Sequence, residues 1–440
     1  MPGARARLSL VEYGAPVDLA KSIAEAASVD RGKARQILLA GGERVASSLG
    51  FSANPISVEA RGIRATDFAG LIRLGPSLEL EIAPKFLGLD SSDARWREDF
   101  FFLATLSRHG RLLASERLWA SGGAPRDLST LVARSLSDMY QTRKRRPLRT
   151  YRRAKQTDFF LEGDADPMDL CFPGADGFEQ ELLRFDRSNA WNATIRAAAK
   201  DLLPEVSDAA AAASLVRVIE DLAPQSQPAS ARARSLPGRQ RAWQPLYDLS
   251  LDVLNGLGLT YKPGQASAPG YVVSTWQVWE DILTIGARVG YGRSAVSAQK
   301  GFVLGSRRKP MPEAKTSALS VYPDCLIEAT GARPKFLLDA KYKGHIERGP
   351  MRIAEADVYE AMAFAKASNC DLVVLAYPAL PGATAAEPGT IAVFERVDAH
   401  PVRIVGVQAE VRGISRSGSL KLFSMNLTDG LERAVYETTA

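Results

Sequence analysis

The sequence predicts an α+β chain of several domains: a β-rich N-terminal part, a mainly helical middle region and a C-terminal α/β domain. Three observations carry that reading. Leu71-Ile-Arg-Leu and Leu78-Glu-Leu-Glu-Ile alternate, or nearly alternate, on either side of Gly75-Pro76, as the arms of a hairpin do. Past residue 96, Phe100, Leu103, Leu106 and Leu113 recur at helical spacing. After Lys262-Pro-Gly, short apolar runs surround a single helical stretch in the order strand–strand–helix–strand, which suits a compact α/β unit.

The elements follow in order. Residues 1–95 form the β-rich N-terminal domain, 96–262 the helical region and 263–440 the C-terminal domain. Residues 96–120 and 129–140 are expected as helices. Phe178 to Leu203 reads as further helix, with Leu182, Phe185, Ala193 and Ile195 on its core face. Ser207-Asp208 caps the alanine run Ala209 to Ala213. PQSQPASARARSLPG, at 224–238, loses all periodicity and is expected as a linker. Pro245 to Leu257 and Trp276 to Val289 are helical, the second amphipathic; Ile353 to Ala367 is the helix of the last domain and Asp371 to Ala376 a strand. No repeat is evident.

Composition excludes several classes. With 440 residues, 46% hydrophobic and 24% charged, the chain can bury sizeable cores and is not disordered. Cys171, Cys325 and Cys370 are odd in number and far apart, which argues for reduced thiols rather than a disulfide scaffold. Only His109, His345 and His400 are present, too few and scattered for a zinc centre or a histidine triad. The opening MPGARARLSLVEYG lacks the apolar core of a signal peptide, and no run approaches the ~18 apolar residues of a membrane span. A cytoplasmic location with no membrane contact is the expectation. GxxxxGK[ST] is absent, so no nucleotide hydrolysis by this chain is expected, and no GxSxG elbow is present.

The net charge of +6 is unevenly spread. Arg143, Lys144, Arg145, Arg146, Arg149, Arg152, Arg153 and Lys155 stand together with no acid among them. Such a cluster suits a phosphate backbone or an acidic partner; a solvated basic face would look the same.

One segment, Tyr322 to Lys343, carries chemistry. Gly331 and Pro334 mark a turn between two apolar runs. On the second run Asp339 and Lys341 project from one face, with Phe336, Leu338, Ala340 and Tyr342 on the other, toward a core. Pairing of the two strands would bring Asp324 beside Asp339. Two carboxylates and a lysine at a sheet end are what a Mg2+-dependent phosphodiesterase requires. A hard cation takes oxygen ligands, activates a bound water and neutralises charge on the phosphate. An adjacent ammonium orients the water, stabilises the transition state, or shares a proton if its pKa falls.

Pro323-Asp324 followed by Asp339-Ala340-Lys341 resembles the PD-(D/E)xK nuclease motif. Together with Asp357-Val-Tyr-Glu-Ala-Met and the strand Leu372 to Ala376, it resembles the nuclease domain of the McrC family, the nuclease subunits of modification-dependent (5-methylcytosine) restriction systems. Upstream, Trp279-Glu280 resembles the family's aromatic–Glu pair, and Phe185-Asp186 through Asn192 its helical Asp…Asn segment. Leu71 through Ile82-Ala-Pro-Lys85, and the strand from Leu8 running into Glu12-Tyr13, resemble its N-terminal strands. The family usually has Tyr-Gln where this chain has Tyr359-Glu360, and Phe159 to Asp166 is less basic than its counterpart.

The resemblance implies a PD-(D/E)xK fold for the C-terminal domain and Asp324, Asp339 and Lys341 as catalytic residues. It implies Mg2+, with Mn2+ as substitute, held by Glu280, Asp324, Asp339 and the carbonyl of Ala340, and supported by Tyr359 and Glu360. Double-stranded DNA, modified or not, would be the substrate; Lys343 would join the basic cluster in contacting it or a partner. That partner would be an AAA+ GTPase or ATPase ring of McrB type, docked by the N-terminal half and stimulated by it. The competing expectation is a non-catalytic adaptor of such a motor, with the nuclease fold kept as a platform. An RNA-directed or repair nuclease on the same fold is a third.

Overall fold

The computed structural model describes residues 6–27, 29–75, 78–89, 96–109, 128–206, 208–223, 228–229, 235–254, 272–308, 316–331, 333–342, 351–382, 386–416 and 418–439. It is a mixed α+β structure with several sheets. Most of the linker at 224–238, residues 90–95 and 255–271 around the expected domain limits, and Lys343 lie outside the described residues.

At the N-terminus, β1 (Ala6–Val11) is followed by α1 (Leu19–Ala27), α2 (Arg31–Leu49), β2 (Ile56–Glu59), β3 (Gly62–Ala65), β4 (Phe68–Gly75) and β5 (Leu78–Ala83). The expected hairpin is present: β4 and β5 pair antiparallel, Ile72 opposite Leu80. β1 runs parallel to β5. Every residue of β5 is buried, even Glu79 and Glu81, whose charges are met by Arg7 and Arg97. An alternating pattern therefore sits on a strand covered on both faces, because the arginines cancel the polar face.

The middle region opens with α3 (Trp96–His109) and α4 (Leu128–Arg143). Then come β6 (Thr150–Asp158), β7 (Asp164–Ala165), α5 (Pro167–Cys171), β8 (Phe178–Asp186), α6 (Ala190–Leu202), α7 (Ala209–Asp221) and α8 (Gln244–Leu254). The helix expected from Phe178 starts only at Ala190; Phe178 to Asp186 is a strand, paired along its length with β6. Its first five residues alternate in burial, with Phe178, Gln180 and Leu182 inward. Leu182 and Phe185 had suggested helical spacing, yet Phe185 is 51% exposed. Asn189 supplies the true helix start by accepting from the Asn192 amide at 2.9 Å. Asp208 caps α7 in the same way, its carboxylate 2.7 Å from the Ala211 amide.

The C-terminal region contains β9 (Val272–Ser274), α9 (Thr275–Tyr291), β10 (Val296–Ala298), β11 (Phe302–Arg307), β12 (Ser317–Val321), β13 (Cys325–Ile327) and β14 (Phe336–Ala340). After them come α10 (Glu355–Ser368), β15 (Leu372–Pro378), β16 (Ile391–Ala399), β17 (Val402–Ala409) and α11 (Ser419–Thr439). β9 joins the N-terminal sheet, whose order is β1-β5-β4-β9. The main sheet has six strands in the order β10-β13-β14-β15-β17-β16. β14, β15 and β17 are parallel, and β15, the apolar run LVVLAYP, is buried throughout, as a central parallel strand should be.

One face of this sheet, with Phe336, Leu338, Val374 and Val405, packs on Trp279 and Leu283 of α9 and Phe423 and Leu427 of α11. The other face, with Leu337, Val373 and Leu375, packs on Phe364 and Ala365 of α10. α9 and α11 approach closely because position 286 is glycine: a Cβ there would fall 2.7 Å from the Phe423 ring. The expected alternation along β14 is therefore present, but both of its faces are core. Among the described residues no helix is long and apolar enough to cross a membrane.

Candidate active site

The ends of β13 and β14 and the helices α9 and α10 bring the predicted residues together. The hairpin pairs Cys325 with Leu338, which sets Asp324, just before β13, against Asp339 at the end of β14. The Asp324 amide points at Asp339 Oδ1 at 3.4 Å, and the Ala340 amide donates to Asp324 Oδ2 at 2.7 Å. Glu280 reaches in from the second turn of α9. Gln299, in the turn after β10 with φ of 51°, joins the two acids: its Nε2 donates to Asp324 Oδ1 at 3.0 Å and to Glu280 Oε1. Sequence reasoning missed Gln299, since a lone glutamine in a turn has no pattern to announce it.

Lys341 closes the site. Its Nζ lies 2.7 Å from Asp339 Oδ2 and 2.6 Å from Glu360 Oε2 of α10, and its side chain is only 14% exposed. Asp339 Oδ2 is buried and accepts no well-aligned hydrogen bond, so its contact with Lys341 is one of charge. The backbone is fixed as well: the Lys341 amide and the Trp279 indole both donate to Ala376 O, each at 2.9 Å. Trp279 is a buried packing residue, whereas Trp276, one turn earlier on the same helix, is 45% exposed. Tyr359 is 67% exposed and Glu360 half exposed.

The electrostatics follow from burial. Asp324 is pushed up to about 6 by desolvation, a rise restrained by the Ala340 amide and reinforced by Glu280. Burial raises Asp339 to about 6 too, against the pull of Lys341 and with the repulsion of Asp324. Burial also raises Glu280. Desolvation opposes the charge of Lys341, but Asp339 and Glu360 outweigh it and hold the ammonium above its usual range. A falling lysine pKa is thus the opposite of what this geometry produces.

No group of three His, Cys, Asp or Glu side chains among the described residues is close enough to form a ready-made metal cage. The donor set still suits a hard divalent cation: Glu280, Asp324 and Asp339 offer oxygens alone, and their proton affinities are raised first by burial and then by one another's charge.

The basic cluster is split by the fold. Arg152 pairs with Asp186 at 3.1 Å, Arg153 with Glu181 at 3.3 Å and Lys155 with Glu179 at 2.5 Å, all across the β6–β8 ladder. Arg143 bends back to carbonyls, including Met139 O at 3.1 Å, and burial lowers its pKa. A run without acids in sequence acquires them from the neighbouring strand. Lys144, Arg145, Arg146 and Arg149 remain exposed, and no ion pair engages them among the described residues. Arg146 and Arg149, with Tyr151, Phe185 and Trp191, line a cavity of about 810 Å³.

Between β6 and β8 the chain exposes Phe159 (61%), Phe160 (76%), Leu161 (58%), Met168 (65%) and Phe172 (76%). This apolar tip was legible as Phe159-Phe-Leu and Phe172 in a turn-rich stretch, but was weighed only for its charge.

Residues 63–378, well over half of the chain, match the family model described as McrBC 5-methylcytosine restriction system component. The structure is similar to a chain in the refined half-complex from a tetradecameric assembly of Thermococcus gammatolerans McrB AAA+ hexamers with bound McrC. The TM-score is 0.68 at 13% identity, over 96% of this chain and 100% of that one, a likeness of fold. A chain of the Thermococcus gammatolerans McrBC complex aligns at a TM-score of 0.46 and 13% identity, over 63% of this chain and 85% of that one. No curated protein matches significantly. The chain belongs to the McrBC 5-methylcytosine restriction system component family.

Proposed function

We propose that this chain is the DNA-cutting subunit of a McrBC-type restriction complex, a Mg2+-dependent endonuclease whose C-terminal domain is of the PD-(D/E)xK class. The observation that carries it is the convergence of Asp324, Asp339 and Lys341 at one strand end, with Glu280 reached through Gln299. Glu280, Asp324, Asp339 and the Ala340 carbonyl would hold Mg2+ or Mn2+. When bound, the ion supplies an activated water and relieves charge on the scissile phosphate.

The chain's own residues do the rest. Lys341 stays protonated, so it serves as a donor rather than a base. One of its three N–H bonds goes to Glu360 Oε2, while its charge faces Asp339. A remaining N–H is left to hold the attacking water or a phosphate oxygen, and a fixed donor of this kind contributes about 10²–10³ in rate. Asp324, anchored by the Ala340 amide, holds its carboxylate in register with Asp339. Glu360 keeps Lys341 extended toward the site, a role a glutamine at this position would fill without charge.

The shared fold with McrC bound to McrB AAA+ hexamers supports an AAA+ ring as partner for this chain. The exposed tip at Phe159, Phe160 and Phe172 is a surface such a partner would cover. Lys144, Arg145, Arg146 and Arg149 would serve DNA or the ring. Lys343 has the same role on sequence grounds.

The test is cleavage of plasmids from methylating and non-methylating hosts, with Mg2+ or Mn2+, with and without the AAA+ ring plus GTP or ATP. Cutting that needs the metal and disappears in Asp339→Ala supports the nuclease. An inert wild type that still stimulates nucleotide hydrolysis by the ring would establish an adaptor instead.

A further inference from the structure

Two sequence features stand outside this mechanism: Glu12-Tyr13 at the end of β1 and Pro84-Lys85 after β5. In the structure both converge on Tyr342, the residue that follows Lys341. Glu12 is fully buried. Its Oε2 accepts from the Tyr342 hydroxyl and, at 3.4 Å, from the Lys85 amide, while its Oε1 accepts from Thr275 Oγ1 at 2.6 Å. Lys85 Nζ donates to the Tyr342 carbonyl and lies 4.1 Å from the centre of the Tyr342 ring. Tyr342 is thus gripped at its hydroxyl, its ring and its carbonyl, each time by the N-terminal sheet. The grip extends to the other side of the site. Phe86 meets Tyr342 edge-on at 6.1 Å and Trp279, the neighbour of Glu280, at 6.2 Å.

We propose that Glu12 and Lys85 are positioning residues for the nuclease centre, acting through Tyr342 to fix the Ala340–Lys341 backbone. Lys341 is one residue from this anchor, and the Ala340 carbonyl one residue further. The strand itself ends at Ala340, and among the described residues the sheet then contributes the bond from the Lys341 amide to Ala376 O. What keeps the ammonium facing Asp339 is therefore set from both sides of Lys341, by β14 before it and by the Glu12–Lys85 clamp after it.

A seam that needed only adhesion would be better served by apolar side chains like Phe86, because a buried charge carries a desolvation cost that packing does not. What hydrogen bonds from three donors to one carboxylate add is direction. The consequence is that the N-terminal sheet is rigidly joined to the position of Lys341.

This inference rests on the nuclease reading, and its test separates the two. Glu12→Met keeps the volume and removes both acceptors, Glu12→Gln keeps an acceptor, and Tyr342→Phe removes one hydroxyl. Each full-length variant is assayed with the AAA+ ring for single-turnover cleavage at saturating DNA and Mg2+, for DNA affinity, and for amide exchange over 336–342. Glu12→Met and Tyr342→Phe are expected to slow cleavage about 10- to 100-fold, the scale of a displacement near 1 Å. DNA affinity and the melting temperature should hold, exchange at 341 and 342 should rise, and Glu12→Gln should recover most of the rate. Unchanged cleavage in a folded Tyr342→Phe and Glu12→Met, or a loss that merely follows melting temperature, overturns the proposal. If the wild type is inert under every condition the nuclease reading fails, and exchange still decides the clamp: faster exchange at 341 and 342 supports it, unchanged exchange overturns it.

Discussion

Replacing Asp339 with asparagine should make the metal-free protein more stable at neutral pH. Asp339 is 3% exposed, and burial raises its pKa to about 6. An aspartate in the unfolded chain titrates near about 3.9. A carboxyl whose folded pKa is raised binds its proton more tightly in the folded state, so stability falls as pH climbs from about 4 to about 6 and stays low above that. At about 1.4 kcal/mol per tenfold in proton affinity, the penalty carried at pH 7 is roughly 3 kcal/mol. Asparagine removes it; the attraction of Lys341 is already part of that pKa, and Glu360 keeps the ammonium paired. The net gain is roughly 3 kcal/mol, or about 3 °C in melting temperature for a chain of this size. Thermal unfolding in a chelator from pH 4.5 to 8 measures it. The gap should open between pH 4.5 and 6.5, and Mg2+ should then raise the melting temperature of the wild type and not of the variant. An Asn variant no more stable than wild type at pH 7.5, or a gap that does not change with pH, refutes the reasoning.

Other consequences are equally open to measurement. Lys341→Met should lower the single-turnover cleavage rate by about 10²–10³ while DNA affinity, read by anisotropy, changes little. Glu280→Gln should raise the Mg2+ concentration for half-maximal cutting by about tenfold or more, visible in a metal titration with folding intact. Phe160→Asp combined with Phe172→Asp should leave the melting temperature unchanged, since both rings are 76% exposed, yet abolish co-elution with the AAA+ ring; retained co-elution would move the docking surface elsewhere.

Much of the site was legible because its chemistry is local in sequence. A turn at Gly331 and Pro334 between two apolar runs is enough to set Asp324 against Asp339, and the two-residue step to Lys341 follows from strand geometry. The basic run misled for the complementary reason: its neutralising acids, Glu179, Glu181 and Asp186, lie a whole strand away and only pairing brings them near. Phe178 to Asp186 looked helical because Leu182 and Phe185 share a three-residue step, and the alternation of its first residues was overlooked. Gln299 and the Glu12–Tyr342 contact were invisible in sequence, since the second spans 330 positions and only the packing of the N-terminal sheet on the end of β14 creates it. β16, β17 and α11 carry no chemistry and had no motif to draw attention to them, yet they complete the sheet that holds β15 in its centre.

The central claim is that Asp324, Asp339 and Lys341 cut DNA with a divalent ion. Its most direct test is conversion of supercoiled plasmid by the complete assembly with its AAA+ ring and nucleotide, in Mg2+ and in EDTA, for wild type and Asp324→Ala. The account expects linear or nicked product only for wild type in Mg2+. Equal cutting by wild type and Asp324→Ala, or cutting undiminished in EDTA, would contradict it.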